Sequence, residues 1–203
     1  MRSASKIKVC GVNDAAIAMR AETLGADYLG FIFAEGSPRR VSPMQAAEIA
    51  SALSGRARRV GVFTTTPGEG ILAIARLVPL DVVQLHSTRY GPEDVRMLNA
   101  AGLEVWTLDG GETRGDAVVL DGVAHGQSGG TGMLADWGRV TELKADGARV
   151  VLAGGISAEN VRAAVETGCD VIDVNSSLEI APGVKSATLV ESLFSAFVAC
   201  RLE

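Results

Sequence analysis

Short apolar runs and longer stretches of mixed polarity alternate along this 203-residue chain. The runs at 7–10, 28–32, 59–63, 82–85, 104–108, 117–120, 150–153 and 171–174 are short, rich in β-branched residues and bounded by turn formers, the pattern of buried strands. Between them, residues 14–24, 43–53, 67–78, 92–101, 137–144, 158–167 and 186–198 carry helical periodicity. In the last of these, Val190, Leu193, Phe194, Phe197 and Val198 share one face. Strands and helices in strict alternation predict an α/β protein, a closed (β/α)8 TIM barrel, with functional groups gathered at the C-terminal ends of the strands. An open doubly wound sheet is the alternative, but it usually has fewer strands. Residues 109–116 are too few and too rich in Gly and charge for a normal helix, so the fifth helix is expected to be short or missing. No linker or composition break divides the chain, which predicts one domain over residues 1–203.

Charge and composition narrow the partners. The net charge is -5, the apolar fraction is 47%, and Lys and Arg are scattered. Neither nucleic acid nor an anionic membrane fits that distribution. No segment approaches the roughly 20 apolar residues of a membrane span. The expectation is a cytosolic (cytoplasmic) protein, monomer or homodimer, with a small-molecule ligand. Three cysteines, Cys10, Cys169 and Cys200, are an odd number without metal-ligand spacing and point to reduced thiols. The two histidines, His86 and His125, have no partner at metal spacing either. No nucleotide P-loop or dinucleotide-binding fingerprint occurs either.

Three consecutive strand ends carry Gly, Ser and Thr: Gly129-Gly130-Thr131-Gly132, Ala153-Gly154-Gly155 and Asn175-Ser176-Ser177. Backbone N–H groups so gathered suit a phosphate, although tight strand-to-helix turns also need Gly. Ser157 is positioned to cap the helix that follows. Cys10 ends the first strand at the barrel mouth, where its thiolate would serve as a general base; a small buried hydrophobe is the other reading. Asp121 follows the sixth strand and is either an acid facing the same mouth or an Asx-type cap. An acid and a base of different type in one pocket suit proton abstraction beside donation. Arg39, with Arg40, lies on the loop after the second strand and would grip a carboxylate or lie solvated on the surface. His86 and His125 are candidate polar walls of the pocket, and Asp173 is a structural or a catalytic carboxylate.

These residues fall into motifs that resemble the phosphoribosylanthranilate isomerase family of tryptophan biosynthesis across nearly the whole chain. Lys8-Val9-Cys10-Gly11, Gly25-Ala26-Asp27, Gly30-Phe31-Ile32-Phe33, Ser37-Pro38-Arg39, Gly61-Val62-Phe63, Gln84-Leu85-His86, Gly129-Gly130-Thr131-Gly132, Asp136-Trp137 and Ala153-Gly154-Gly155 come in the family's order. The resemblance implies an Amadori rearrangement without a metal or organic cofactor. Asp121 would protonate the furanose ring oxygen and Cys10 would remove the C2′ proton. Arg39 would bind the anthranilate carboxylate. The phosphate would be held by Gly130, Thr131 and Gly132, by Gly154 and Gly155, and by Asn175, Ser176 and Ser177, with His86 also on the substrate. The chain departs from the family pattern at three places. Ser87-Thr88-Arg89 replaces a Gly-x-Glu segment, Ser177 stands where glycine is usual, and Ser186 replaces Asp while remaining a competent N-cap.

Overall fold

Each apolar run forms the strand its pattern predicts, because each buries one face under helices and the other inside a closed cylinder. The computed structural model describes residues 5–122 and 137–200. Strands β1 (Lys6–Val9), β2 (Tyr28–Ile32), β3 (Arg58–Phe63), β4 (Val82–Leu85), β5 (Glu104–Leu108), β6 (Ala117–Leu120), β7 (Val150–Leu152) and β8 (Val171–Val174) pair in parallel in chain order. The barrel closes where β8 returns to β1, with Lys8 opposite Asp173 and Val9 opposite Val174. Helices α1 (Ala15–Leu24), α2 (Pro43–Ser51), α3 (Gly68–Leu77), α4 (Pro92–Ala100), α5 (Gly138–Ala145), α6 (Val161–Glu166) and α7 (Ala187–Ala199) complete the alternation. Among the described residues, none of them is long and apolar enough to cross a membrane.

The connection from β5 to β6 holds no helix, as its length requires. It lies flat on the edge of β5 instead: the Asp116 carboxylate accepts the Val105 N–H at 2.7 Å, and Thr107 Oγ1 accepts the Gly115 N–H at 3.0 Å. A Cβ on Gly115 would stand 2.3 Å from the Val105 carbonyl oxygen, so only glycine permits the approach.

Strand parity sorts the side chains. Ile7, Val9, Leu29, Phe31, Val83 and Leu85 face outward into the layer under the helices. Tyr28, Val60, Val82, Trp106, Val119, Val151 and Val171 pack inside. The Tyr28 and Trp106 rings meet edge to face at 5.1 Å and fill the lower barrel. Glu104, at the start of β5, accepts from Trp106 Nε1 at 2.6 Å and from Arg149 at 2.5 Å, and also pairs with Arg58. The N-terminal end is thereby plugged, and the open end is the one formed by strand C-termini.

Local sequence explains the helix starts. Asp14 accepts from the Ile17 N–H, Ser42 and Gln45 form a capping box before Pro43, and Ser186 caps α7 through the Leu189 N–H. Two expectations are corrected. Ser157 does not cap α6. Asn160 accepts from the Ser157 N–H at 2.8 Å and donates to the Gly155 carbonyl at 2.9 Å, so 157–160 closes as a separate turn and the helix starts one turn later. Val198 lies one position beyond the buried stripe of α7 and is 46% exposed. A short 3-10 turn (Ser176–Leu178) and a hairpin of β9 (Glu179–Ala181) with β10 (Val184–Lys185) follow β8, in segments too short for periodicity to show.

Glu22 on α1 is 6% exposed and accepts the backbone N–H groups of Ser54, Arg56 and Ala57 at 2.7, 3.0 and 3.1 Å, which fixes the α2–β3 connection. Burial opposes its charge, but these donors prevail and hold the carboxyl below its ordinary 4.5. Its contribution is full above that value and disappears as pH falls through the lower folded value. Glu22→Gln is expected to lower unfolding free energy at pH 7 by about 1–3 kcal/mol, and by less at pH 3, in urea denaturation at the two pH values.

Candidate active site

A cavity of about 390 Å³ opens at the C-terminal end of the barrel. Cys10, Gln84, His86, Asp121, Gly154, Gly155, Asp173, Asn175 and Ser176 line it from just inside or just beyond strand ends, and Arg39 lines it from the loop between β2 and α2.

Lys8 lies beneath that floor. Two residues before Cys10 on an extended segment, it points to the same side, and it is fully buried. Its Nζ donates to Asp173 Oδ2 at 2.6 Å, Gln84 Oε1 at 2.7 Å and Cys10 Sγ at 3.2 Å. Burial works against the ammonium, but the Asp173 charge and Cys10 outweigh it and raise Lys8 above its ordinary value. Burial pushes the Cys10 thiol up, and Lys8 pulls against that rise. Asp173 is likewise pushed up by burial against the pull of Lys8. Its Oδ1 has no hydrogen-bond partner among the described residues.

Gln84 carries the network across the mouth. Its Nε2 lies 3.4 Å from His86 Nδ1, and His86 Nε2 lies 3.3 Å from Asp121 Oδ2. On the other wall, Arg39 holds Glu179 bidentately, Nε to Oε1 at 2.8 Å and Nη2 to Oε2 at 2.9 Å. Lys185 Nζ donates to Glu179 Oε1 at 3.1 Å and to Asn175 Oδ1 at 3.0 Å. Burial lowers Lys185, and Glu179 opposes the fall. Glycines permit these approaches. A Cβ on Gly30 would stand 2.9 Å from Cys10 Sγ and 3.0 Å from Lys8 Cε, and one on Gly154 (φ +89°) would stand 2.4 Å from the Gly122 nitrogen. Among the described residues, no group of His, Cys, Asp and Glu is arranged to hold a metal ion.

A family model for N-(5'-phosphoribosyl)anthranilate (PRA) isomerase matches residues 7–196. The chain belongs to the PRA isomerase family. A PRA isomerase of Rubrobacter xylanophilus is 43% identical over 204 residues, 95% of this chain and 98% of its own. The crystal structure of the Thermus thermophilus PRA isomerase superposes with a TM-score of 0.85 at 34% identity, covering 96% of this chain and 98% of that one. A PRA isomerase crystallised with reduced 1-(o-carboxyphenylamino)-1-deoxyribulose 5-phosphate superposes with a TM-score of 0.81 at 26% identity, covering 96% and 99%.

Measured against the PRA isomerase motifs, Cys10, Arg39, His86, Asp121, Gly154, Gly155, Asn175 and Ser176 all reach the one cavity. Ser177 does not line it. Its Oγ donates to the Ile156 carbonyl at 2.5 Å and ties the β8 end to the β7 end. No residue other than glycine has positive φ among the described residues, so the Cβ at 177 is accommodated without backbone strain. Ser87, Thr88 and Arg89 lie outside the cavity lining. Gly130, Thr131, Gly132 and His125 fall outside the described residues. Lys8, Gln84, Glu179 and Lys185 were not read as site residues from the sequence. Period-two parity from Cys10 finds Lys8, and parity from His86 finds Gln84. No comparable signal finds Glu179 or Lys185, which reach the site through the hairpin.

Because burial raises the Cys10 thiol above its ordinary 9.0, and only the thiolate is alkylated, labelling of Cys10 by iodoacetamide in the unliganded protein should still be accelerating above pH 9. Peptide mass spectrometry across pH 7 to 10 reads this, and a plateau below pH 9 contradicts it.

Proposed function

We propose that this chain converts N-(5-phosphoribosyl)anthranilate into 1-(2-carboxyphenylamino)-1-deoxyribulose 5-phosphate, the Amadori step of tryptophan biosynthesis, as an aldose–ketose isomerase of the cytosol. The observation that carries this is the pairing of one acid and one base in a single cavity: Asp121 beside His86, and Cys10 beside Lys8.

Asp121 gives its proton to the furanose ring oxygen as the C1′–O bond breaks, while the anthranilate nitrogen lone pair forms C1′=N. The resulting Schiff base is cationic, which acidifies the C2′ hydrogen and favours a thiolate nearby. Cys10 takes that hydrogen as a proton. The C2′–H electrons become the C1′=C2′ bond of a neutral enolamine, which tautomerises to the ketone. Cys10 acts from its thiolate form, which burial disfavours and the Lys8 ammonium 3.2 Å from its sulfur favours.

The ends of the substrate are both anionic. Arg39, aligned by Glu179, is assigned to the anthranilate carboxylate; Glu179 takes the Nε and Nη2 edge and is not bonded to Nη1. The phosphate is assigned to the Gly154-Gly155 and Asn175-Ser176 strand ends, which line the cavity. The family resemblance adds Gly130, Thr131 and Gly132 to that end.

Loss of PRA fluorescence on adding purified protein, with the substrate generated in place from anthranilate, tests the reaction. Cys10→Ala and Asp121→Asn should each lower kcat by about 10²–10⁴ while the circular dichroism spectrum is kept. Full turnover in either variant removes that residue from the chemistry. Arg39→Ala should raise KM by roughly 10- to 100-fold, the worth of a charge-assisted hydrogen bond of about 1.5–3 kcal/mol, with a smaller effect on kcat. An unchanged KM removes Arg39 from the site.

A further inference from the structure

The run of polar contacts from Lys8 through Gln84 and His86 to Asp121 has a direction, and that direction bears on which carboxyl oxygen carries a proton. Lys8 is a donor only. The Gln84 atom 2.7 Å from its Nζ must therefore be the amide oxygen, Oε1. The amide nitrogen then faces His86, with Nε2 at 3.4 Å from Nδ1. An amide NH₂ has hydrogens to give and no lone pair to offer, so the atom opposite it must accept. His86 Nδ1 is thus the bare nitrogen of the ring, and its hydrogen sits on Nε2. Nε2 lies 3.3 Å from Asp121 Oδ2, so the ring hydrogen is on the side of that oxygen. A protonated Asp121 must then carry its hydrogen on Oδ1, the oxygen beside Gly154: a Cβ on that glycine would stand 3.0 Å from it. Gly154 and Asp121 both line the cavity.

We propose that Gln84 is a positioning residue that, oriented by Lys8, holds His86 in its Nε2–H form and so confines the acidic proton of Asp121 to Oδ1, the oxygen next to Gly154. The proposal rests on the role assigned above to Asp121 as the acid. It gives the Gln-x-His pair on β4 a shared purpose: Gln84 sets the ring, and the ring sets the acid. It also makes Lys8 common to both halves of the chemistry, since the same ammonium touches Cys10 Sγ. The proton that Asp121 gives to the ring oxygen leaves a carboxylate whose Oδ2 lies 3.3 Å from His86 Nε2, so the new charge forms beside the ring N–H.

Gln84→Glu tests this with little change in shape. The new carboxylate still accepts from Lys8, but it offers an acceptor to His86 Nδ1 and draws a hydrogen onto it. A neutral ring would then present a bare Nε2 to Asp121 and pull the acidic proton onto Oδ2. A doubly protonated ring would hold Asp121 as a carboxylate. Either state takes the proton from Oδ1.

The readout is the ¹⁵N–¹H long-range spectrum of the histidine rings. The chain has only two histidines, and a His125→Gln variant assigns them. In the unliganded wild-type protein, His86 should show a protonated Nε2 and a bare Nδ1. In Gln84→Glu, Nδ1 should become protonated, and kcat should fall about tenfold or more with KM changed by less than about threefold. Gln84→Met, which removes the donor without adding charge, should give a mixture of tautomers and a smaller fall in kcat; it serves as the second variant if Gln84→Glu does not fold. A protonated Nδ1 in the wild type overturns the proposal, and so does a fall in kcat with the His86 pattern unchanged. If the wild-type protein turns over no PRA, the function assigned above fails, while the ring spectrum still decides the tautomer.

Discussion

An ammonium sealed inside a parallel barrel dictates much of what stands around it. Lys8 has no access to water, and an isolated charge in that position would cost several kcal/mol. It is retained because three strands deliver acceptors to it: Asp173 from β8, Gln84 from β4, and Cys10 from the end of its own strand. Remove any one and one N–H of the buried ammonium loses its acceptor. The ammonium therefore constrains the register of β1 against β8, where Lys8 and Asp173 stand opposite each other. It also constrains which way the Gln84 amide points. The base and the acid of the proposed reaction are tied through this one group.

The packing below and beside that group keeps it in place. Tyr28 and Trp106 fill the barrel under Lys8, and the Lys8 Nζ lies 6.0 Å from the Trp106 ring centre. Gly30 leaves room for the Lys8 stem and the Cys10 sulfur on the neighbouring strand. The strand after Lys8 ends at Gly11, whose φ of +68° turns the chain and whose missing Cβ lets Asn175 Oδ1 come close. Asn175 is held by Lys185, Lys185 by Glu179, and Glu179 by Arg39. A second charged chain thus runs along the β8 side of the cavity, and it meets the first where the Lys185 charge acts on Cys10. Both chains are built from positive groups set against buried acceptors. Of their three cations, Arg39 lines the cavity, while Lys8 and Lys185 stand behind its walls.

Much of this was legible in the linear chain. The alternation of apolar runs and amphipathic stretches gave eight strands in the right places, and the scarcity of residues between β5 and β6 gave the missing helix. Cys10 and Asp121 stood at strand ends, and parallel barrels expose strand ends at one mouth. Period-two parity also contained Lys8 and Gln84, although a lysine inside an apolar strand reads as an exposed residue until its partners are known. Ser157 was misread because its segment satisfies its own backbone through Asn160, a competition between turn and helix that residue types alone do not settle. Ser177 was expected beside phosphate, but its hydroxyl turned to a carbonyl on the next strand end, a neighbour twenty-one residues away in sequence.

The sequence by itself determined the class of fold, the order and boundaries of nearly every element and the residue types at the mouth. Those depend on local periodicity and on the geometry common to all parallel barrels. Only the tertiary structure decided how the mouth is wired: that Lys8 finds Asp173 and Gln84, that Gln84 turns its nitrogen to His86, that Glu179 aligns Arg39, and that Ser177 ties two loops together. Hydrogen bonds and charges act over a few ångströms between atoms that barrel closure brings together from distant parts of the chain. Their partners, unlike periodicity, are not written in any local stretch of sequence.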